Sequence, residues 1–261
     1  MFEGSFFIHL GLFEIIQFKK LITVLVCLTA IQLIGSFLAK YLGARVGAIL
    51  SGFISGLISS TAFTATLAKK SKNLNSKEIQ IEAASFLSAT LAMLVQALFL
   101  VVLGLNTVPV SILYIFFVPI SVTLFLIFVR YKKTEFIEVK IQETTYLKSL
   151  YSILKLSVFI IFIISVSNVL QIYYGSRGLE LLTFLVSLFE IHGSVIANTQ
   201  LLLKNIIIES EFKMLLCLSI LASYISKVVM ICVLGSTFLK KRVLIWSGIV
   251  LTSLLITFWI V

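Results

Sequence analysis

The chain has 261 residues, 60% of them hydrophobic and 12% charged, with a mean hydropathy of +1.15 and a formal net charge of +10. A soluble domain of this size cannot hide that much apolar surface, so the composition excludes a water-soluble globular protein and requires an integral membrane one. The positive charge does not point to nucleic acid, because Lys and Arg gather in short connectors between apolar runs without interleaved aromatics.

In chain order, residues 1–17 carry Glu3 and Glu14 but no early Lys or Arg. They read as a short amphipathic stub at the membrane interface and not as a signal peptide, and His9 within them is given no role. Apolar runs long enough to cross a bilayer follow at residues 21–38, 46–68, 83–105 and 108–129. A charged linker, 131–149, separates them from four more, at 153–173, 179–203, 212–234 and 243–261. The expected fold class is therefore all-α, a polytopic helical membrane protein of about eight transmembrane helices. These divide into two four-helix repeats, residues 1–130 and 150–261.

The repeat is written in the residues. Tyr41-Leu42-Gly43-Ala44-Arg45 returns as Tyr173-Tyr174-Gly175-Ser176-Arg177 after 132 residues, and Val102-Leu103-Gly104 returns as Val233-Leu234-Gly235 after 131. Four spans per half is an even number, so both halves enter the membrane in the same sense. The expected symmetry is a pseudo-two-fold along the membrane normal and not an inverted repeat. With the N-terminus inside, the connectors place thirteen Lys and Arg in the cytoplasm and six opposite, which favours cytoplasmic termini although Lys240-Lys241-Arg242 runs against it.

Polar residues inside the spans are the candidate site. The second span has a small residue at every fourth position: Ala48, Gly52, Gly56, Ser60, Thr64 and Ala68. This builds a smooth face for close helix packing, tightest at Gly52 and Gly56, to which Ser59, Ser60, Thr61 and Thr64 add hydroxyls. At an offset of 131, Ser59-Ser60-Thr61-Ala62 falls on Glu190-Ile191-His192-Gly193 in the sixth span. A charge at mid-bilayer costs roughly 2.5–3.5 kcal/mol on insertion scales, so Glu190 needs a partner, a proton or water. At 1.5 Å per residue, Glu190 lies about 20 Å from Leu203 and Lys227 about 22 Å from Phe212, which allows the two to pair. A static structural ion pair is the plainer reading of that pairing, and a transport site the sharper one. His192 shares a face with Glu190 only if the helix breaks locally at Gly193. Asn198, with Asn168, Gln171, Gln200 and Gln96, either completes a polar interior or bonds neighbouring helices. Cys27, Cys217 and Cys232 lie in apolar runs without metal-ligand spacing, so no metal site and no cofactor is expected.

The block Gly56-Leu57-Ile58-Ser59-Ser60-Thr61-Ala62-Phe63-Thr64 with Ala68-Lys69-Lys70-Ser71, the stretch Tyr41 to Gly56, and the region Gly178-Leu179 to Thr199 resemble a bacterial membrane family. It is domain of unknown function 4010, the C-terminal partner of MgtC/SapB domains; no MgtC/SapB domain lies within these residues. The likeness runs from about Phe13 to the C-terminus. It implies a bacterial inner-membrane protein, a link to magnesium or other cation physiology, and an MgtC/SapB-like partner. The family typically has Asp-x-Asp-Ala where this chain has Glu190-Ile191-His192-Gly193, a basic residue at Gln96, and an Asn near Ser223 and Tyr224. Lys227 is retained.

Three functions are weighed. A transporter or channel-like protein for a small ion or solute would work between the halves, using Glu190, His192 and Lys227. A non-transporting assembly or regulatory protein, a homo-oligomer or an MgtC/SapB partner, would use the small-residue face. An enzyme is the weakest, because all 11 acidic residues are Glu, only two His occur and no His-Glu-x-x-His motif is present. The expected surroundings are the lipid bilayer, without nucleic acid.

Overall fold

Lipid offers the backbone no hydrogen-bonding partner, so apolar runs of this length close their bonds internally as helices. The computed structural model describes residues 17–42, 47–105, 107–131 and 146–260. Within them lie α1 (Phe18–Leu42), α2 (Ala48–Lys70), a short 3-10 turn (Ser71–Asn73), α3 (Ser76–Gly104) and α4 (Val110–Tyr131). The second half contributes α5 (Tyr146–Phe189), α6 (Ile191–Leu203), α7 (Glu209–Leu234) and α8 (Thr237–Ile260). No strand occurs among the described residues. The N-terminal stub, residues 43–46 of the first Tyr-x-Gly-x-Arg element and most of the linker lie outside them.

Six helices are long and apolar enough to cross a membrane: Lys19–Tyr41, Ala48–Asn73, Ser76–Gly104, Val110–Val129, Glu209–Leu234 and Thr237–Trp259. Val158–Ser167 and Val169–Phe189, meeting at 88°, make a seventh if the bent pair counts as one crossing. The chain is thus an all-helical, multi-pass membrane protein. The expected count of about eight differs at the sixth apolar run. There Glu190 interrupts the helix, and the arm beyond it, α6, has only 13 residues. Gly175, in the second Tyr-x-Gly-x-Arg element, is the non-helical point inside α5, with φ 60° and ψ −152°, a conformation suited to glycine.

The innermost crossing is α3, with 72% of its apolar window buried against 22% for α1, and α7 comes next. Peripheral helices turn Phe117, Phe125, Phe128 and Phe162 outward, as lipid contact allows. One core joins both halves, with Leu28, Met93, Phe116, Ile164, Val195, Phe212 and Tyr224 among its members. Both inner helices carry glutamate in their first turn. Asn75 Oδ1 accepts from the Lys77 and Glu78 amides at 3.0 Å while Glu78 Oε2 accepts from Asn75 N at 2.8 Å, a full capping box. In α7, Glu211 Oε2 accepts from Ile208 N at 3.2 Å, and isoleucine has no side-chain oxygen to return the bond.

All six members of the small-residue ladder on α2 are buried. A Cβ on Gly52 would sit 2.4 Å from Ser85 O, and one on Gly56 2.6 Å from Ala89 Cα, so α2 lies backbone to backbone on α3. Lys70 Nζ and Glu82 Oε1, 2.5 Å apart, tie the last residue of α2 to the second turn of α3, one turn from Ser85, whose Oγ donates to Ala48 O at the first residue of α2 at 2.8 Å. Between the halves, Ser236 N donates to Ser71 Oγ at 2.8 Å.

Candidate functional site at two broken helices

Two helix breaks fall at corresponding positions of the two halves. In α2 the break is Ser59, with φ −164° and ψ 101°; between α5 and α6 it is Glu190, with φ −148° and ψ 102°. These are ordinary extended values, so neither break is strained. The positions are 131 residues apart, the offset that aligned them in the sequence. Each restarts its helix with its own cap: Ser59 Oγ accepts from Ala62 N at 3.3 Å, and Glu190 Oε1 from His192 N at 3.0 Å. Oxygen-bearing side chains satisfy amides that a helix start leaves unpaired, and negative charge suits its positive end.

A shared face for Glu190 and His192 depended, in the sequence, on a break at Gly193; the structure breaks the helix at Glu190 instead. Leaving the helix there lets the Glu190 side chain fold back over α6, so that Oε1 also meets His192 Nδ1 at 2.8 Å. Gly193 itself is an ordinary helical residue, with room for a Cβ 3.5 Å from Ile160. The two residues that straight-helix geometry would separate are thus brought together.

The ion pair between Glu190 and Lys227 is not made. Among the described residues Lys70–Glu82 is a salt bridge, and Glu190 meets His192 in a pair that is ionic only when the imidazole is protonated. Lys227 Nζ, fully buried, instead curls back along α7 to Ser223 Oγ at 2.7 Å and Ser223 O at 3.2 Å. Local partners hold each group, nitrogens of His192 for the carboxylate and oxygens of Ser223 for the ammonium.

Sequence reasoning missed the partner of Lys227. At the same offset of 131 its counterpart is Gln96. Gln96 Nε2 donates to Leu57 O at 2.9 Å, satisfying a carbonyl near the end of the first arm of α2. The offset was the available signal. Lys227 does not make the equivalent bond to Leu188.

Of the other candidates, Ser59 is exposed, Ser60 is buried, and the Thr64 hydroxyl is spent on Ser60 O at 2.7 Å. Thr61 is half-buried. Among the described residues none of these side chains hydrogen-bonds to Glu190, His192 or Lys227. Asn198 is buried on α6, its Oδ1 accepting from Thr183 Oγ1 at 3.4 Å, and Ser194 meets Ser219 of α7 at 3.1 Å. The Asn168 side chain lies outside the described residues. Several buried polar atoms make no hydrogen bond to another protein group: His192 Nε2, Asn198 Nδ2, Ser187 Oγ, Gln171 Oε1 and Gln96 Oε1. Tyr224 OH lies beside Thr90 and Ser247 without an aligned bond. No group of three or more His, Cys, Asp or Glu converges among the described residues.

The family model for a domain of unknown function (DUF4010) matches residues 26–235. No curated protein and no solved structure matches the chain.

Proposed function

Starting from the chain's membership of the DUF4010 family, which carries no assigned activity, we propose that it is a transporter or channel-like protein for a small ion or solute. The observation that carries this reading is the matched pair of helix breaks at Ser59 and Glu190. Non-helical backbone at membrane depth is tolerated only where protein buries it or a polar cavity faces it. Breaks at corresponding positions of two halves are the architecture in which transporters build their sites. The working centre is then Glu190 with His192 and Lys227, flanked by Asn198, while Ser59, Ser60, Thr61 and Thr64 form the corresponding neutral region. Two four-helix repeats around a pseudo-two-fold axis belong to the same proposal. So do a bacterial inner-membrane location, cytoplasmic termini, a link to magnesium or other cation physiology, and a non-enzymatic role.

The alternative, an assembly or regulatory protein, rested on the small-residue face of α2. That face is occupied within the chain by α3, which leaves less of it for an outside partner. A second copy or an MgtC/SapB-like protein would have to dock elsewhere. The deciding measurement is flux across proteoliposomes, screened over cations and small anions. Flux lost in Glu190→Gln supports transport; absence of flux for every ion, with a crosslinked partner recovered, favours the alternative.

A further inference from the structure

A straight helix of 23 residues would hold Ala48 and Lys70 about 33 Å apart. In α2 both instead reach the first three turns of α3, where Ala48 O accepts from Ser85 Oγ and Lys70 Nζ meets Glu82. Gly52 lies on Ser85 and Gly56 on Ala89, so the first arm of α2 runs in the direction of α3. The second arm must then run back, and Ser59 is the turning point. The second break repeats this. Thr183 and Asn198, 15 residues apart on either side of Glu190, meet at 3.4 Å, where a straight helix would separate them by about 22 Å. Ser176 hydrogen-bonds Glu211 in the first turn of α7, to which Leu203 also returns through a short connector.

The two hairpins rest on opposite ends of the same two helices. The first is based at the start of α3 and at the end of α7, where Ser236 N donates to Ser71 Oγ. The second is based at the start of α7 and at the end of α3, where a Cβ on Gly104 would lie 2.6 Å from Thr199 Cγ2. With 29 and 26 residues, α3 and α7 are each long enough to cross a bilayer, so their ends mark its two faces.

We propose that the halves form an inverted repeat, each of three crossings and one re-entrant hairpin, with residues 48–70 entering from one face and 176–203 from the other. The crossings are α1, α3 and α4, then the arm of α5 before Gly175, α7 and α8. Three is odd, so the halves enter the membrane in opposite senses, and the pseudo-two-fold axis lies in the membrane plane instead of along its normal. The arms, from the shorter 48–58 to the longer 176–189, span about 16–21 Å and bring both tips to the region of the midplane. Charge follows the same division. Fourteen of the 21 Lys and Arg fall at the face of the first hairpin, among them Lys240-Lys241-Arg242, which ran against the eight-span count. Five fall at the other: Lys19, Lys20, Arg177, Lys204 and Lys213. The face of the first hairpin is therefore cytoplasmic, and Gln17 and Ile260 lie opposite, which reverses the orientation carried in the transport reading. The topology does not rest on that reading; joined to it, each face has its own hairpin as a gate.

The test is single-cysteine labelling of the full chain in sealed vesicles of known orientation, with Cys27, Cys217 and Cys232 replaced by alanine. Positions 47 and 72 bracket the first hairpin, and 177 and 209 the second. An impermeant maleimide should label Gly47→Cys and Lys72→Cys from the cytoplasmic side alone, and Arg177→Cys and Glu209→Cys from the opposite side alone. Labelling of either pair from two different sides makes that segment a crossing and overturns the proposal, as does labelling of all four from one side. The same pattern reversed across the membrane overturns the orientation. Should the cysteine-free background fail to fold, Thr183→Cys with Asn198→Cys in the otherwise native chain is expected to be joined by a short bifunctional thiol reagent. No cross-link, with each single variant reacting, overturns the second hairpin. Flux in the same vesicles is a separate readout: the expected labelling without flux sinks the transport reading alone, and flux with a crossing pattern sinks this topology alone.

Discussion

Adding one methyl group at Gly52 or Gly56 probes the closest helix contact in the molecule. An alanine Cβ at 52 would lie 2.4 Å from Ser85 O and 2.8 Å from Ser85 Cα; at 56 it would lie 2.6 Å from Ala89 Cα and 2.7 Å from Ala89 O. Ordinary contact between such atoms begins at about 3.5 Å, so α2 must retreat from α3 by roughly 1 Å. The obstructing atoms are backbone, which no rotamer change can move aside. Overpacking of this kind costs about 1–3 kcal/mol, and the upper end applies here. Alanine returns about 1 kcal/mol through helix propensity, leaving a net loss of about 2 kcal/mol at each site. A Cβ added to Gly248 in α8 would meet nothing within 4 Å, so Gly248→Ala serves as the control, expected to be neutral or slightly stabilised. Thermal unfolding in detergent should show both Gly52→Ala and Gly56→Ala melting roughly 4–8 °C below parent. If they melt within a degree of Gly248→Ala, the close approach of α2 and α3 is not real.

Three further outcomes follow from the geometry. Gln96→Leu removes the donor to Leu57 O and should cost about 1–3 kcal/mol in chemical denaturation, while Gln96→Glu, which cannot donate when ionised, should do no better. A double-mutant cycle between Glu190→Gln and Lys227→Met should give a coupling below about 1 kcal/mol, since the groups do not touch; a value near that of a broken buried pair, about 3–5 kcal/mol, would contradict the placement of Lys227 on Ser223. Single cysteines at Asn75 and Thr107, at opposite ends of α3, should label from opposite sides of the membrane, and labelling from one side would reject α3 as a crossing.

Composition and run length made the helical membrane class legible, because twenty apolar residues have few other fates. The ladder from Ala48 to Ala68 was legible too, since a four-residue spacing of small side chains has an obvious meaning on a helix. What could not be read was backbone direction. Ser59 and Glu190 sit inside runs whose apolar periodicity continues across them, so hydropathy sees one span where the chain has two arms. Side-chain choice was hidden for a related reason. Depth placed Glu190 and Lys227 at one level, but a lysine with Ser223 one turn away can satisfy itself locally, and an N-cap position offers a carboxylate two nearby hydrogens. Long-range pairing was inferred from depth alone, and local geometry prevailed. The correspondence of Gln96 and Lys227 was within reach, because the offset already aligned the breaks.

The break at Glu190 also bears on how the chain enters its membrane. Residues 176–189 and Ile191–Leu203 are each shorter than the roughly 20 residues that insert on their own apolarity, and the carboxylate at their junction adds to the insertion cost. Neither arm can partition into lipid as an independent unit. Both must wait for α7, whose Ser219 meets Ser194 and whose Glu211 hydrogen-bonds Ser176, to emerge and receive them. Biogenesis of this protein is therefore not strictly sequential. A nascent chain halted after Leu203 would keep α6 within reach of a water-soluble probe, and extension through Leu234 would withdraw it.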